Sequence, residues 1–140
     1  SSWLRSARLW VSFALETPSR RIYYSGDSSY GQHYKAIGQR FGGFDFAMLE
    51  CGQYNEAWPD VHMMPEQSAQ AAQDLQARAA MPSHNGRFSI AYHSWDDPLK
   101  RFSEASVGKP YRLVTPRIGE VIRLGDQGQT FAPWWSMSPF

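Results

Sequence analysis

Apolar and polar residues alternate in several segments of the first fifty residues, a pattern typical of β-strands. In residues 9–16, apolar side chains at every second position share one side of the chain. The turn-forming residues TPSR follow, and residues 21–25 form a second strand-like run. These two segments predict a β-hairpin, and the alternating residues 44–50 predict a third strand.

Three other segments have apolar residues at helical spacing. Residues 33–41 predict a helix that the glycines at 42–43 end. Residues 65–80 predict the longest helix, with Pro65 suited to its first position, and residues 96–106 predict a third helix. The longest helix carries a stripe of small and apolar side chains suited to packing on a sheet: Ser68, Ala72, Leu75 and Ala79.

The remaining segments complete an alternation of strands and helices. A short strand is expected to lead from residue 80 to His84, and residues 87–93 fit either a strand or a loop. Residues 111–115 and 120–124 predict two short final strands before a turn-rich tail. This order predicts an α/β domain in which helices pack on a mixed sheet.

The composition is that of a globular domain without a preference for nucleic acid. A chain of 140 residues can bury one core, and its 42% apolar and 19% charged residues are ordinary proportions. A net charge of +1 without a basic block argues against a nucleic-acid partner. No apolar run approaches the roughly 20 residues that span a bilayer. The single Cys51 excludes an internal disulfide and favours a reducing compartment, hence the cytoplasm.

Polar residues follow several of the predicted strands, at the edge where α/β proteins place their sites. They are Asp27, Glu50 with the loop that continues to Tyr54, His62 and His84. Carboxylate and imidazole are the ligands that zinc and similar metals prefer. The spacing between these residues is too wide to specify a metal site by itself.

Each of these residues also has a structural interpretation. Asp27 in SGDSS fits a turn or a helix N-cap, and His62 could bond the first turn of the helix that follows it. His84 fits a turn, and Glu50 is either a buried, hydrogen-bonded carboxylate or a solvated strand end. Cys51 has no obvious base to pair with, which favours a buried structural thiol.

Four motifs in succession resemble a known family. They are SGDSSY, IGQRFGGFDFAMLECGQY, VHMMPEQ and a Pro-x-His-x-Gly step at 82–86, within a similarity that covers residues 9–124. Together they resemble the C-terminal half of the metallo-β-lactamase superfamily. The more specific likeness is to the branch that contains N-acyl-phosphatidylethanolamine-hydrolysing phospholipase D and bacterial RomA-like proteins. The resemblance implies half of an αββα sandwich, with a mixed sheet and helices on one face.

The resemblance also implies a site and its chemistry. Asp27 matches the aspartate that bridges two divalent metal ions, expected to be zinc, and His84 matches a histidine ligand of one of them. His62 and Tyr54 match positions that face the substrate. Two such ions polarise a phosphoryl or carbonyl oxygen and lower the pKa of water. The implied reaction is the hydrolysis of a phosphodiester, such as the head-group bond of a phospholipid.

The main metal motif of that family, His-x-His-x-Asp-His, is absent from the 140 residues. We therefore expect residues 1–140 to be a single partial domain that lacks the N-terminal half, is inactive alone and cannot hold a dinuclear metal site with useful affinity by itself. Half a sandwich exposes an apolar face, so we expect a partner: the N-terminal half or a second copy of the chain. A phospholipid substrate would associate the protein with a membrane.

Two other hypotheses remain open at this stage. A truncated, non-catalytic relative that serves as an interaction module would explain the missing ligands, and the metal content of the complete protein separates it from an enzyme. A lactone hydrolase of the same superfamily would share the metal ligands. Only a comparison of phosphodiester and lactone substrates separates that enzyme from a phosphodiesterase.

Overall fold

A computed structural model describes residues 12–52, 62–83 and 94–137 of the chain. Within these ranges, strands and helices alternate as the hydrophobic pattern predicts. The elements are β1 (Phe13–Glu16), β2 (Arg21–Tyr24), α1 (His33–Phe41), β3 (Phe46–Glu50), α2 (Pro65–Asp74), β4 (Ala79–Ser83), α3 (Asp97–Ala105), β5 (Arg112–Leu113) and a final 3₁₀ turn (Trp134–Ser136). The segment 87–93, for which strand and loop were both open, lies outside the described residues.

The strands form one mixed sheet in the order in which they occur along the chain. β1 pairs antiparallel with β2 as the predicted hairpin, and Thr17 Oγ1 closes its turn by accepting the Arg20 N–H at 3.0 Å. β2, β3, β4 and β5 are parallel, with α1, α2 and α3 in the connections between them. The carboxyl ends of these parallel strands therefore meet at one edge of the sheet.

The helices cover one face of the sheet, as expected. Tyr23, Ala47 and Ala80 form a row in register across three strands and are buried on that face. The two alanines leave room for the helices to approach the sheet closely. Leu75 at the end of α2 and Phe102 of α3 fill the core from the helix side.

The opposite face of the sheet is covered only in part by the described residues. Phe46 and Val114 are buried there beneath apolar side chains of the C-terminal segment. Towards the hairpin, Phe13 and Leu15 are 59% and 58% exposed, although their strand pairs with β2. Apolar side chains exposed next to one another on a sheet face are a feature of interaction surfaces.

The prediction of a helix over 65–80 is wrong at the C-terminal end, because α2 ends at Asp74. Gln76 adopts the left-handed conformation, with a φ of 56°, and the Ala77 N–H bonds back into the last turn of the helix at 3.1 Å. This cap normally uses glycine or asparagine, so the run of Ala and Gln residues concealed the helix end. Ala79, predicted to lie on the helix stripe, begins β4 instead.

The strand predicted over 120–124 is also wrong, and the one predicted over 111–115 is reduced to β5. In residues 120–124, the Gln129 side chain takes the place of a neighbouring strand. Its Oε1 accepts the Arg123 N–H at 2.8 Å and its Nε2 donates to the Val121 carbonyl at 2.7 Å. A side chain thus satisfies backbone groups that a neighbouring strand would otherwise satisfy.

Gly38 of α1 lies against the end of α2 without room for a side chain. A Cβ atom there would lie 2.9 Å from the Leu75 Cα and closer still to the Asp74 carbonyl oxygen. We expect Gly38→Ala to lower the free energy of unfolding by about 1–3 kcal/mol, because the helices must move apart. Urea unfolding measures this, with the exposed Gln39→Ala as a control expected within about 0.5 kcal/mol of wild type. Unchanged stability of Gly38→Ala would show that this contact is wrong.

Candidate metal centre

Asp27 lies just beyond the carboxyl end of β2, where the chain leaves the sheet. Ser25 extends the pairing of β2 with β3, since its N–H donates to the Met48 carbonyl at 3.0 Å. Gly26 then adopts a positive φ of 59°, a conformation that glycine reaches without steric cost. The turn places Asp27 at the edge of the sheet, in an exposed position.

Glu50 is the last residue of β3 and is almost fully buried, with 1% of its surface exposed. Its Oε2 accepts the backbone N–H of Ser28, the residue after Asp27, at 2.7 Å. Its own N–H donates to Ser25 Oγ at 2.9 Å, and its carbonyl oxygen accepts the Ser68 hydroxyl. Of the two structural interpretations of this residue, the buried, hydrogen-bonded carboxylate is confirmed.

His62 lies on the approach to α2, and its Nδ1 contacts Oε1 of Glu50. Only 12% of the His62 side chain is exposed. The N–H of Met64, at the start of α2, is accepted by Gln67 Oε1 at 2.8 Å, so capping of that helix does not require His62. Because the carboxylate of Glu50 contacts Nδ1, Nε2 is the His62 atom that would bind a metal ion.

Burial favours the neutral forms of the His62 imidazole and the Tyr34 phenol beside this cluster. Burial lowers the pKa of the His62 imidazole, and the negative charge of Asp27 offsets part of that effect. A neutral imidazole is the form that binds metal ions. The fully buried Tyr34 contacts the Ser28 hydroxyl, and burial raises the pKa of its phenol. The contact helps to hold the backbone that donates to Glu50.

Asp27, Glu50 and His62 together form a group of candidate metal ligands. Each residue offers one ligand atom, and these atoms all lie within 4.8 Å of one another. Two carboxylates and one imidazole match the ligand preferences of zinc and similar divalent ions. The donor set therefore fits a divalent metal in both chemistry and charge.

Two of the predicted site residues lie outside the described residues, namely Tyr54 and His84. Their roles as substrate contact and metal ligand therefore stay predictions. Ser83, the residue before His84 in the sequence, pairs with Glu50 across β3 and β4. The end of β4 thus lies next to the ligand group.

Glu50 is the member of the candidate group that the sequence motifs did not single out as a possible ligand. The sequence motifs assigned Asp27 to the metal and His62 to the substrate, whereas the structure brings both residues into one group with Glu50. An available signal was the acidic residue at the end of an apolar strand, FAMLE. A strand between two others in a parallel sheet is buried on both faces, so a carboxylate there needs specific partners.

Cys51 follows Glu50 directly and is fully buried. Its Sγ donates to the Pro98 carbonyl at 3.5 Å, and burial raises the pKa of the thiol well above its usual range. A buried thiol that stays protonated is unreactive, which agrees with the structural role expected from the sequence.

The chain is similar to several known proteins. Residues 2–85 match the family model described as the beta-lactamase superfamily domain. The chain is 57% identical to outer membrane protein RomA of Klebsiella pneumoniae over an alignment of 83 residues. This alignment covers 59% of the chain and 63% of RomA. The chain is 28% identical to N-acyl-phosphatidylethanolamine-hydrolyzing phospholipase D 1 of Caenorhabditis elegans over an alignment of 128 residues. This alignment covers 86% of the chain and 36% of that relative.

A solved structure shows the same fold. The metallo-beta-lactamase fold protein YhfI of Bacillus subtilis superimposes with a TM-score of 0.57 and 16% sequence identity, over 76% of this chain and 41% of that one. The chain thus spans less than two thirds of the length of each of these three proteins.

Proposed function

The chain belongs to the beta-lactamase superfamily and has the metallo-β-lactamase fold, and we propose that it forms part of a metal-dependent hydrolase of phosphodiesters. The observation that carries this proposal is the group of Asp27, Glu50 and His62, with ligand atoms within 4.8 Å of one another at the carboxyl edge of the sheet. The name of the Caenorhabditis elegans relative supports a phospholipid such as N-acyl-phosphatidylethanolamine as the substrate.

In this proposal Asp27 and His84 hold two divalent metal ions, with zinc as the expected metal. Ions of this kind polarise a phosphoryl oxygen and lower the pKa of water. Asp27 suits a bridging position because its carboxylate has two oxygens and lies exposed at the sheet edge. His84 follows Ser83, which pairs with Glu50, and this order along the chain supports a ligand role for the histidine.

The other residues of the site position these ligands and the substrate. Glu50 orients the His62 ring through Nδ1 and holds the loop after Asp27 through the Ser28 N–H. His62 lies beside the carboxylates with a small part of its side chain exposed, which supports contact with substrate or metal from the same position. Tyr54 is assigned to the substrate side of the site on its sequence motif alone.

We further propose that residues 1–140 are one half of an αββα sandwich and that the N-terminal half supplies the remaining ligands. The exposed Phe13 and Leu15 support this proposal, because they continue an apolar sheet face that a second layer would cover. A second copy of the chain is the alternative occupant of that face. By themselves, residues 1–140 are then expected neither to hold metal firmly nor to hydrolyse substrate.

The location proposed for the protein is the cytoplasm, with association at a membrane when the substrate is a phospholipid. The buried, free Cys51 and the lack of any second cysteine suit a reducing compartment. The RomA relative is named an outer membrane protein, which supports contact with a membrane. Across the described ranges, no helix combines the length and the apolar character that a membrane span requires.

Elemental analysis of the complete protein tests the proposed class. We expect about two equivalents of zinc or another divalent metal, and loss of bis(p-nitrophenyl) phosphate hydrolysis on chelation, restored when metal is added back. A complete protein without bound metal would instead indicate a non-catalytic interaction module. Hydrolysis of a lactone in clear preference to phosphodiesters would identify the lactone hydrolase of the same superfamily.

A further inference from the structure

The amino edge of the sheet, opposite the ligand group, carries four arginines where its parallel strands begin. Arg21 is the first residue of β2 and Arg112 is the first residue of β5, while Arg78 directly precedes β4. Arg20, in the hairpin turn, supplies the fourth guanidinium group. These four residues form the arginine cluster. The length of β3 separates this edge from the ligand group by about 17 Å.

Two polar cavities open beside the arginine cluster. One, of about 360 Å³, is lined by the hairpin turn with Arg20 and Arg21, and by Arg78. The other, of about 270 Å³, is lined by Arg78, by Arg112 and by the segment after β5. Because Arg78 and Asp45 line both cavities, the two adjoin each other. One elongated ligand can therefore occupy both.

Backbone carbonyl oxygens hold two of the guanidinium groups in place. Arg21 donates to the Gly42 carbonyl at 3.4 Å. Arg112 donates to the Gln129 carbonyl at 3.3 Å. A carbonyl partner fixes the position of a guanidinium group but does not neutralise its charge, as a carboxylate would. The positive charge of these side chains thus stays available to an anion.

Within the described residues, two carboxylates line the cavities, and they balance only part of the arginine charge. Asp45 Oδ2 accepts the Arg21 backbone N–H at 2.8 Å, and its Oδ1 lies 4.0 Å from a guanidinium nitrogen of Arg78. Glu16 is exposed at the end of β1. Four guanidinium groups against two carboxylates leave an excess of two positive charges. Like charges held close together repel each other, so this edge favours an anionic occupant.

From this geometry we infer that the arginine cluster binds a chain of two or three phosphate groups, either free or carried by a nucleotide. A planar guanidinium group donates two parallel N–H bonds to the oxygens of a phosphate. The adjoining cavities suit an elongated anion better than a single phosphate. The inference goes beyond the proposed function, because the ligand group lies at the opposite edge of the sheet and takes no part in this binding.

Calorimetric titration of the complete, metal-free protein with tripolyphosphate tests the site. Removal of the metal prevents capture of tripolyphosphate at the ligand group. We expect saturable binding of one tripolyphosphate per chain, which weakens as the salt concentration rises. Arg78→Gln should weaken binding about tenfold, because it removes a bidentate phosphate contact. The Arg78 side chain is 80% exposed, so the free energy of unfolding should not change. The matched control Arg117→Gln removes an exposed arginine that lines neither cavity, and it should bind like wild type.

Asp45→Asn should change the affinity in the opposite direction. It removes a negative charge from the wall that the two cavities share, while the amide oxygen can still accept the Arg21 N–H. We expect tripolyphosphate to bind about two- to fivefold more tightly to this variant.

Three outcomes would overturn the site: no binding of tripolyphosphate, equal affinity in Arg78→Gln and wild type, or binding of inorganic phosphate as tight as that of tripolyphosphate. ATP separates the two sources of the phosphate chain. Tighter binding of ATP than of tripolyphosphate would identify a nucleotide as the ligand, and equal or weaker binding would identify a free polyphosphate. Failure of the proposed function has a different signature: the complete protein lacks metal and hydrolyses no phosphodiester, while tripolyphosphate binds as expected.

Discussion

Replacing Asp27 by asparagine is expected to abolish metal-dependent hydrolysis by the complete protein. The substitution keeps the shape of the side chain but removes the negative charge that a bridging ligand contributes. Loss of a residue that merely supports a ligand typically lowers metal affinity or activity by about 10–100-fold, so loss of a bridging ligand should exceed that range. The metal content per chain, measured after dialysis, should fall together with the activity.

Folding should be nearly unaffected by the same substitution, because Asp27 lies exposed at the sheet edge. We expect the free energy of unfolding of metal-free Asp27→Asn to stay within about 0.5 kcal/mol of wild type. Asp126→Asn is the matched control, because Asp126 is also an exposed aspartate next to a turn but does not belong to the ligand group. It should leave metal content and activity unchanged. Full metal content and full activity in Asp27→Asn would rule out Asp27 as a ligand.

Replacing Glu50 by glutamine is expected to affect both folding and metal binding. An amide at this position can accept a hydrogen bond through its oxygen only, and its NH₂ group would face either the Ser28 N–H or His62. A buried donor left without an acceptor costs about 1–3 kcal/mol, and this should appear as a loss in the free energy of unfolding. Metal affinity should fall by about 10–100-fold, because Glu50 belongs to the candidate ligand group and also orients His62.

Urea unfolding of the metal-free protein and calorimetric titration with zinc measure the two effects separately. Glu104→Gln, on the exposed side of α3, makes the same chemical change at a site without buried partners and should match wild type in both. Wild-type stability in Glu50→Gln would show that the buried network is not formed as described. A stability loss with unchanged zinc affinity would restrict Glu50 to a structural role.

The local pattern of the sequence predicts most of the fold because local and tertiary preferences agree in those segments. The hairpin, α1 and α3 follow from alternation, from glycines after a helix and from a proline in a first turn. The end of α2 does not, because Gln76 takes a left-handed conformation that its residue type rarely adopts. Residues 120–124 alternate like a strand but satisfy their backbone through Gln129, a partner that no local pattern specifies.

The candidate site is predictable to a similar degree. Asp27 follows from its turn and from the motif around it, because a strand end and a glycine suffice to place it. The contribution of Glu50 depends on the strands on both sides of it and on Ser28 and His62, which are distant from it in sequence. Such pairings arise from the sheet order, which a single sequence does not display. His84 and Tyr54 remain predictions based on their motifs.

The most direct test of the central claim is an anomalous diffraction map of the complete protein, collected at the absorption edge of its bound metal. A ligand role for Asp27 predicts a metal peak about 2.0–2.2 Å from its carboxylate oxygen, with His62 or Glu50 adjoining the same centre. Zinc at full occupancy elsewhere in the protein, with the Asp27 carboxylate beyond bonding distance, would contradict the account.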